Sequence, residues 1–211
     1  MDSGVGEPGI LVGVGSTVWG SGSRNERPRV RFSREELLTA ADKLLPDVIA
    51  PNLDVLLCGI NPGLWSAATG HHFARPGNRF WAALRLGGFT PRQLRPDEQE
   101  LLLGYGLGIT NLAARATARA DELTREELTA GGRILRDKVA RFTPRWLAVL
   151  GVTAFRTAFT ARHVRVGPQE RELAGTRLWI LPNPSGLNAH YQLDQLAEEF
   201  ARLREAIEVP A

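Results

Sequence analysis

Four short apolar runs recur along the chain, Asp54 to Ile60, Gly108 to Leu112, Trp146 to Leu150 and Arg177 to Leu181, with helix-length stretches between them. Runs this short are strands, and parallel strands need a long crossover, usually helical, to join them. The alternation predicts an α/β fold, a three-layer α/β/α sandwich around a mostly parallel central sheet. A short antiparallel arm is expected near Glu172, before the last run. Two of the runs empty into asparagine-proline loops: Ile60 into Asn61-Pro62-Gly63, and Leu181 into Pro182-Asn183-Pro184-Ser185-Gly186. In an open parallel sheet the loops at the carboxyl ends of strands line the ligand crevice, so these two are expected to face one site.

Helical periodicity predicts helices at Arg79 to Leu86, Asp97 to Leu103, Arg125 to Phe142, Thr153 to Phe159 and Gln192 to Ile207. Thr124 with Glu127 has capping-box spacing, as does Ser33 with Glu36. The latter pair opens a first predicted helix with Leu37, Leu38, Ala41, Leu44 and Leu45 on one face, ending before Pro46. Gly131 and Gly132 lie inside the long helix, where each costs roughly 1 kcal/mol against alanine; close packing is the expected reason for them. Residues 1–30, rich in Gly and Ser and without sustained periodicity, are expected to form a disordered tail ahead of one domain over residues 31–211.

The single cysteine, Cys58, allows no internal disulfide and no four-thiolate cluster, and its place inside a strand suits packing better than nucleophilic chemistry. His71, His72, His163 and His190 lack zinc-ligand spacing, so no metal or other cofactor is expected. No apolar run approaches the roughly 18 residues of a membrane span, and a cytoplasmic, nucleoid-associated protein is expected. Lys43 and Lys138 are the only lysines, so 24 of the 26 basic residues are arginine. Arginine holds phosphate bidentately, which suits a nucleic-acid partner, although GC-biased codon usage produces the same excess.

Asn61 does not titrate near neutral pH, but its carbonyl oxygen can accept from a water molecule and aim it. Such a group suits a reaction governed by positioning and bond breaking; the bland alternative is that it simply shapes a turn with Pro62 and Gly63. From Thr69 to Trp81 a loop mixes His71, His72, Phe73, Arg75 and Arg79 with glycine and proline. Aromatics that stack on bases and arginines that hold phosphate are the ingredients of nucleic-acid binding. Phe80 and Trp81 open a helix and read as core, Phe73 reads as a stacking platform, and Arg75 and Arg79 read as phosphate contacts or solvated side chains. His71 and His72 are either base or phosphate contacts or solvated loop residues. Leu187, at the tip of a polar loop, is either a wedge that enters a base stack or a contact to the following helix.

Gly59-Ile60-Asn61-Pro62-Gly63-Leu64, Gly77-Asn78-Arg79-Phe80-Trp81 and Asn183-Pro184-Ser185-Gly186-Leu187 resemble, in this order, the motifs of the mismatch-specific uracil and thymine DNA glycosylases of the uracil-DNA glycosylase superfamily. The resemblance spans about Asp54 to Leu203 and implies a monofunctional DNA glycosylase acting in base excision repair on double-stranded DNA with a mismatched or damaged pyrimidine, working as a monomer. By that resemblance Asn61 holds the attacking water, Phe73 stacks on the flipped base, and backbone groups around Gly59, Ile60 and Phe73 read the pyrimidine edge. Asn111 lies beside the base, and Asn183 takes the position where more active uracil enzymes carry a histidine. Ser185, Gly186, Leu187, Asn188 and Arg75 contact DNA, with Leu187 filling the gap left by the flipped nucleotide. Thr110, Asn111, Arg115 and Thr117 with the His71-His72 pair look more like the thymine-DNA glycosylase branch, whereas Asn188-Ala189 departs from the Ser-Arg of bacterial uracil-mismatch members. Other readings are a non-catalytic lesion-binding protein of the same fold, or a hydrolase of free nucleosides for which the wedge would have no use.

Overall fold

The structure, a computed structural model, describes residues 32–41 and 43–208; the tail expected over residues 1–30 lies outside the described residues. Five strands, β1 (Val55–Gly59), β2 (Leu107–Asn111), β3 (Trp146–Leu150), β4 (Gly167–Leu173) and β5 (Thr176–Leu181), form one sheet in the order β2-β1-β3-β5-β4. The first four neighbours in that order run parallel, and β4 pairs antiparallel with β5 at the edge. The predicted α/β sandwich is thus the observed one, with the arm near Glu172 as its antiparallel edge.

Six helices complete it: α1 (Arg34–Leu38), α2 (Leu64–Thr69), α3 (Phe80–Leu86), α4 (Arg125–Phe142), α5 (Val152–Ala158) and α6 (Leu193–Glu208). Alternate residues of a strand point to opposite faces, and β1 shows both faces covered. Val55 and Leu57 join the core with Phe80, Trp81 and Phe200 of α3 and α6, whereas Leu56 and Cys58 join Leu135, Val139 and Phe155 of α4 and α5. Every residue of β1 and β3 is buried, which is why those runs read as continuously apolar. From β1 the chain places β2 on one side and β3 on the other, so a crevice opens at their carboxyl ends.

Gly131 and Gly132 explain themselves by distance. A Cβ on Gly131 would stand 2.0 Å from the carbonyl oxygen of Leu112, and one on Gly132 2.7 Å from that of Ala158. Bare backbone there lets α4 lie against the turn after β2 and against α5. Both capping boxes form, with the Ser33 hydroxyl accepting from the Glu36 N–H and the Thr124 hydroxyl from the Glu127 N–H.

Three local expectations need correction. The first helix stops at Leu38, leaving Leu38 and Leu44 55% and 77% exposed, because its apolar stripe meets no wall long enough to bury it. Pro96–Tyr105 is a 3-10 helix whose buried residues, Gln99 and Leu102, are three apart, the spacing that a three-residue turn superposes. Helix α2, six residues between Gly63 and Gly70, is a helix absent from those predicted.

Candidate active site

Asn61 follows the buried end of β1 and its side chain is held from one direction. Its Nδ2 donates to the carbonyl oxygen of Arg115 at 2.9 Å and to Thr117 Oγ1 at 2.7 Å. The Thr117 hydroxyl spends its own proton on the carbonyl of Arg119, so toward Asn61 it is an acceptor. A backbone carbonyl is an acceptor only, and both amide protons of Asn61 are therefore committed. Its Oδ1 is the end left to accept from a reactant or a water. The anchor is itself anchored: Thr117 is buried and its N–H donates to the Pro62 carbonyl, while Arg115 donates from Nε and Nη2 to the Glu127 carboxylate at the start of α4. That contact holds the Glu127 carboxyl down at about 2.

Gly59, Phe73 and Asn111 meet a few ångströms away. Asn111 ends β2, directly beside Gly59 in the parallel register. A Cβ on Gly59 would stand 2.4 Å from Asn111 Oδ1 and 3.3 Å from Phe73 Cζ, so the absence of a side chain lets both approach the strand end. Phe73 stacks on buried Phe80, centroids 4.0 Å apart and planes at 20°. Its φ of 53° costs a bulky residue about 1–3 kcal/mol and persists only where neighbours enforce it. Here the flanking N–H groups do so, His72 donating to Gln99 Oε1 and Ala74 to Ser66 Oγ.

The second asparagine-proline loop closes the opposite wall. Asn183 Oδ1 accepts from the Ser185 N–H at 2.9 Å, which leaves Nδ2, a neutral donor, as its available end. Asn188 Nδ2 donates to the Asn183 carbonyl and Ser185 Oγ accepts from the Leu187 N–H, so the loop is braced by its own polar groups. Leu187 is 64% exposed, so most of its side chain stands in water at the loop tip. Gly59, Ile60, Asn61, Phe73, Arg75, Asn111, Asn183, Ser185 and Leu187 all line one cavity of about 120 Å³. That is below the ~300 Å³ of ordinary small-molecule sites and suits a single flat group. Asn188 lines the adjoining cleft, and Gly186 packs on the Gly77 carbonyl instead, 2.7 Å from where its Cβ would be.

A family model of the uracil DNA glycosylase superfamily matches residues 46–208. The chain belongs to the uracil DNA glycosylase superfamily. Superfamily members are DNA glycosylases, hydrolases that act on DNA, and the matched span contains every residue that lines the cavity except Leu45. The candidate site presents amides, hydroxyls and aromatics beside His72, Arg75 and Arg119; no group of three or more His, Cys, Asp or Glu converges among the described residues.

Other nucleophiles stand elsewhere. Cys58 is fully buried and burial pushes its thiol far up, so the thiolate is not formed. Lys138 pairs with Asp47 and donates to Thr110 Oγ1 on the α4 side of the sheet, and Lys43 is exposed outside the cavity.

Two sequence expectations fail in this glycosylase. Arg79 is turned inward instead of toward phosphate: both terminal nitrogens of its guanidinium donate to the carbonyls of Ser185, Asn188 and Tyr191, and its Nε is buried. It organises the Leu187 loop from the segment packed directly against it, where its own N–H donates to the Pro184 carbonyl. His72 is neither solvated nor free for phosphate: it is 1% exposed, with Nε2 2.9 Å from the Pro46 carbonyl. Contacts this distant in sequence leave no local pattern to read. The arginines that do extend from the site are others: Arg119 lines the adjoining cleft, and Arg125, Arg156 and Arg162 line its continuation beside α5.

Proposed function

We propose that this protein is a monofunctional DNA glycosylase of the mismatch-specific uracil and thymine type, acting in base excision repair on uracil, and on thymine or other modified pyrimidines, in mismatched duplexes. The observation that carries the reading is the committed Asn61 amide, whose Oδ1 is the acceptor left beside a cavity sized for one base. A water held at Oδ1 attacks the anomeric carbon as the glycosidic bond breaks with its electron pair going to the base, and the water's proton passes to solvent. An amide takes no proton, so catalysis rests on positioning and on the ease with which the base leaves.

Phe73, backed by Phe80, offers the ring on which the flipped base stacks, and Asn183 Nδ2 donates to the departing base. A neutral amide stabilises an anion less well than a histidine would, which predicts slow turnover on plain uracil. Flipping costs a few kcal/mol, least for a mispair, and this favours mismatched substrates. Leu187 is presented in water as a wedge, and the Arg119, Arg125, Arg156 and Arg162 cleft gives phosphate contacts, so binding weakens with salt. Neither lysine lines the cavity, consistent with hydrolysis without a Schiff-base step.

Single-turnover cleavage of duplexes carrying uracil opposite guanine, uracil opposite adenine and thymine opposite guanine tests this with wild type and Asn61→Ala. Excision that vanishes in the mutant while DNA binding persists is expected. Binding without excision of any of the three by wild type would replace the enzyme with a lesion-binding protein.

A further inference from the structure

We infer that His72 is a positioning residue that sets the polarity of the Asn111 amide, and through it which pyrimidine edge the cavity accepts. The inference rests on the reading of the cavity as a base pocket. Its premises are two contacts. His72 Nε2 lies 2.9 Å from the Pro46 carbonyl oxygen, an acceptor only, so Nε2 carries a proton. His72 Nδ1 lies 3.4 Å from Asn111 Nδ2. In the neutral ring a protonated Nε2 leaves Nδ1 bare, an acceptor, and the Asn111 atom facing it must be the NH2 end. Burial, the dominant influence on this ring, lowers its proton affinity and keeps it neutral, against the opposing pull of the Pro46 bond and Asp47; Lys138 and His71 push the same way as burial.

The consequence lies at the other end of the amide. With Nδ2 turned to His72, Asn111 Oδ1 stands over Gly59 at the cavity wall beside Phe73. An acceptor there matches a ring N3–H, which uracil and thymine have and cytosine lacks, since cytosine N3 is itself an acceptor. Reversed, the same amide would favour cytosine. An asparagine amide has no intrinsic preference between these orientations, so the selection is made by the His72 ring against it. Both ends of the relay are clamped by one ion pair: Asp47, next to Pro46, takes a hydrogen bond from Thr110 Oγ1, next to Asn111, and pairs with Lys138 of α4. His72 itself is further fixed through its N–H to Gln99 Oε1 and its carbonyl, which accepts from Trp81 Nε1.

The test compares single-turnover excision of 5-fluorouracil and 5-fluorocytosine opposite guanine, the fluorine making both bases ready to leave. Wild type is expected to prefer fluorouracil. His72→Phe, which removes the acceptor, should narrow that ratio by on the order of tenfold, one hydrogen bond's worth of discrimination. His72→Gln, able to donate to Pro46 and accept from Asn111, should restore it. A ratio unchanged in His72→Phe, with both rates lowered equally, would make His72 merely structural and overturn the inference. Proton-nitrogen correlation NMR of wild type reads the ring directly, whether or not the variants fold. The neutral Nε2–H form with an unprotonated Nδ1 supports the relay, and an Nδ1–H or charged ring overturns it. If wild type excises neither base, the glycosylase reading fails, while the NMR still decides the relay.

Discussion

The two asparagine-proline loops face one cavity but are held in opposite ways. The loop after β1 aims a single atom: Asn61 is bolted through Thr117, Arg115 and Glu127 to the start of α4, and little of it projects. The loop after β5 holds a hydrophobe in water: it is braced by its own Asn183, Ser185 and Asn188, and by one arginine reaching in from the start of α3. The difference fits the work each would do. Aiming a water tolerates no slack, so its support runs through buried Thr117 and comes from segments remote in the chain. A wedge must stay exposed until DNA arrives, so its loop is stiffened from within and by a charge, because no apolar packing can be given to its tip.

That contrast sets the order of effects. Asn61→Ala should lower single-turnover excision of uracil opposite guanine by about 10²–10³-fold or more, the scale seen when one positioned polar group is removed from an active site, with duplex binding retained. Equal rates for mutant and wild type would dissolve the comparison. Arg79→Met keeps the side-chain stem but strands three carbonyls, each bond to a charged group being worth ~1.5–3 kcal/mol. Loss of tens of fold in duplex excision, with a lowered melting temperature, is expected; an unaltered melting curve would show the loop stands without it. Thr117→Val removes one of the two Asn61 anchors, and a fall of roughly tenfold in rate with unchanged Kd would place the slack in aiming. Leu187→Ala should be smallest, a several-fold loss on duplex and none on single strands, with unchanged stability, since its side chain is largely in water already. An equal loss on both substrates would show that it does not fill a gap in the stack.

The fold was legible because its cause is local and repeated. Residues buried on both faces make β1 and β3 continuously apolar, so the strands stood out within a residue or two of their observed ends, and α4 carried both its cap and its glycines in plain view. The first helix misled because an apolar stripe is necessary for burial but does not supply the wall. The candidate site was legible where it lies in motifs: Asn61, Phe73, Asn111 and Asn183 come to one cavity from four segments. Arg79 and His72 misled, since a loop arginine or histidine reads the same whether it faces phosphate or a carbonyl more than a hundred residues or 26 residues away.

By itself the sequence determined the strand and helix alternation, the placement of two polar loops at strand ends, and the residue types available there. Those follow from periodicity, proline and glycine geometry, and the absence of a titrating group in the asparagine-proline motifs. Only the tertiary structure decided which ends of the Asn61 and Asn111 amides face the cavity. Amide polarity is set by partners that are distant in the chain, Thr117 and Arg115 for Asn61, and Pro46 through His72 for Asn111. The two ends of an amide are alike in shape and opposite in hydrogen bonding, so only the neighbours in space can choose between them.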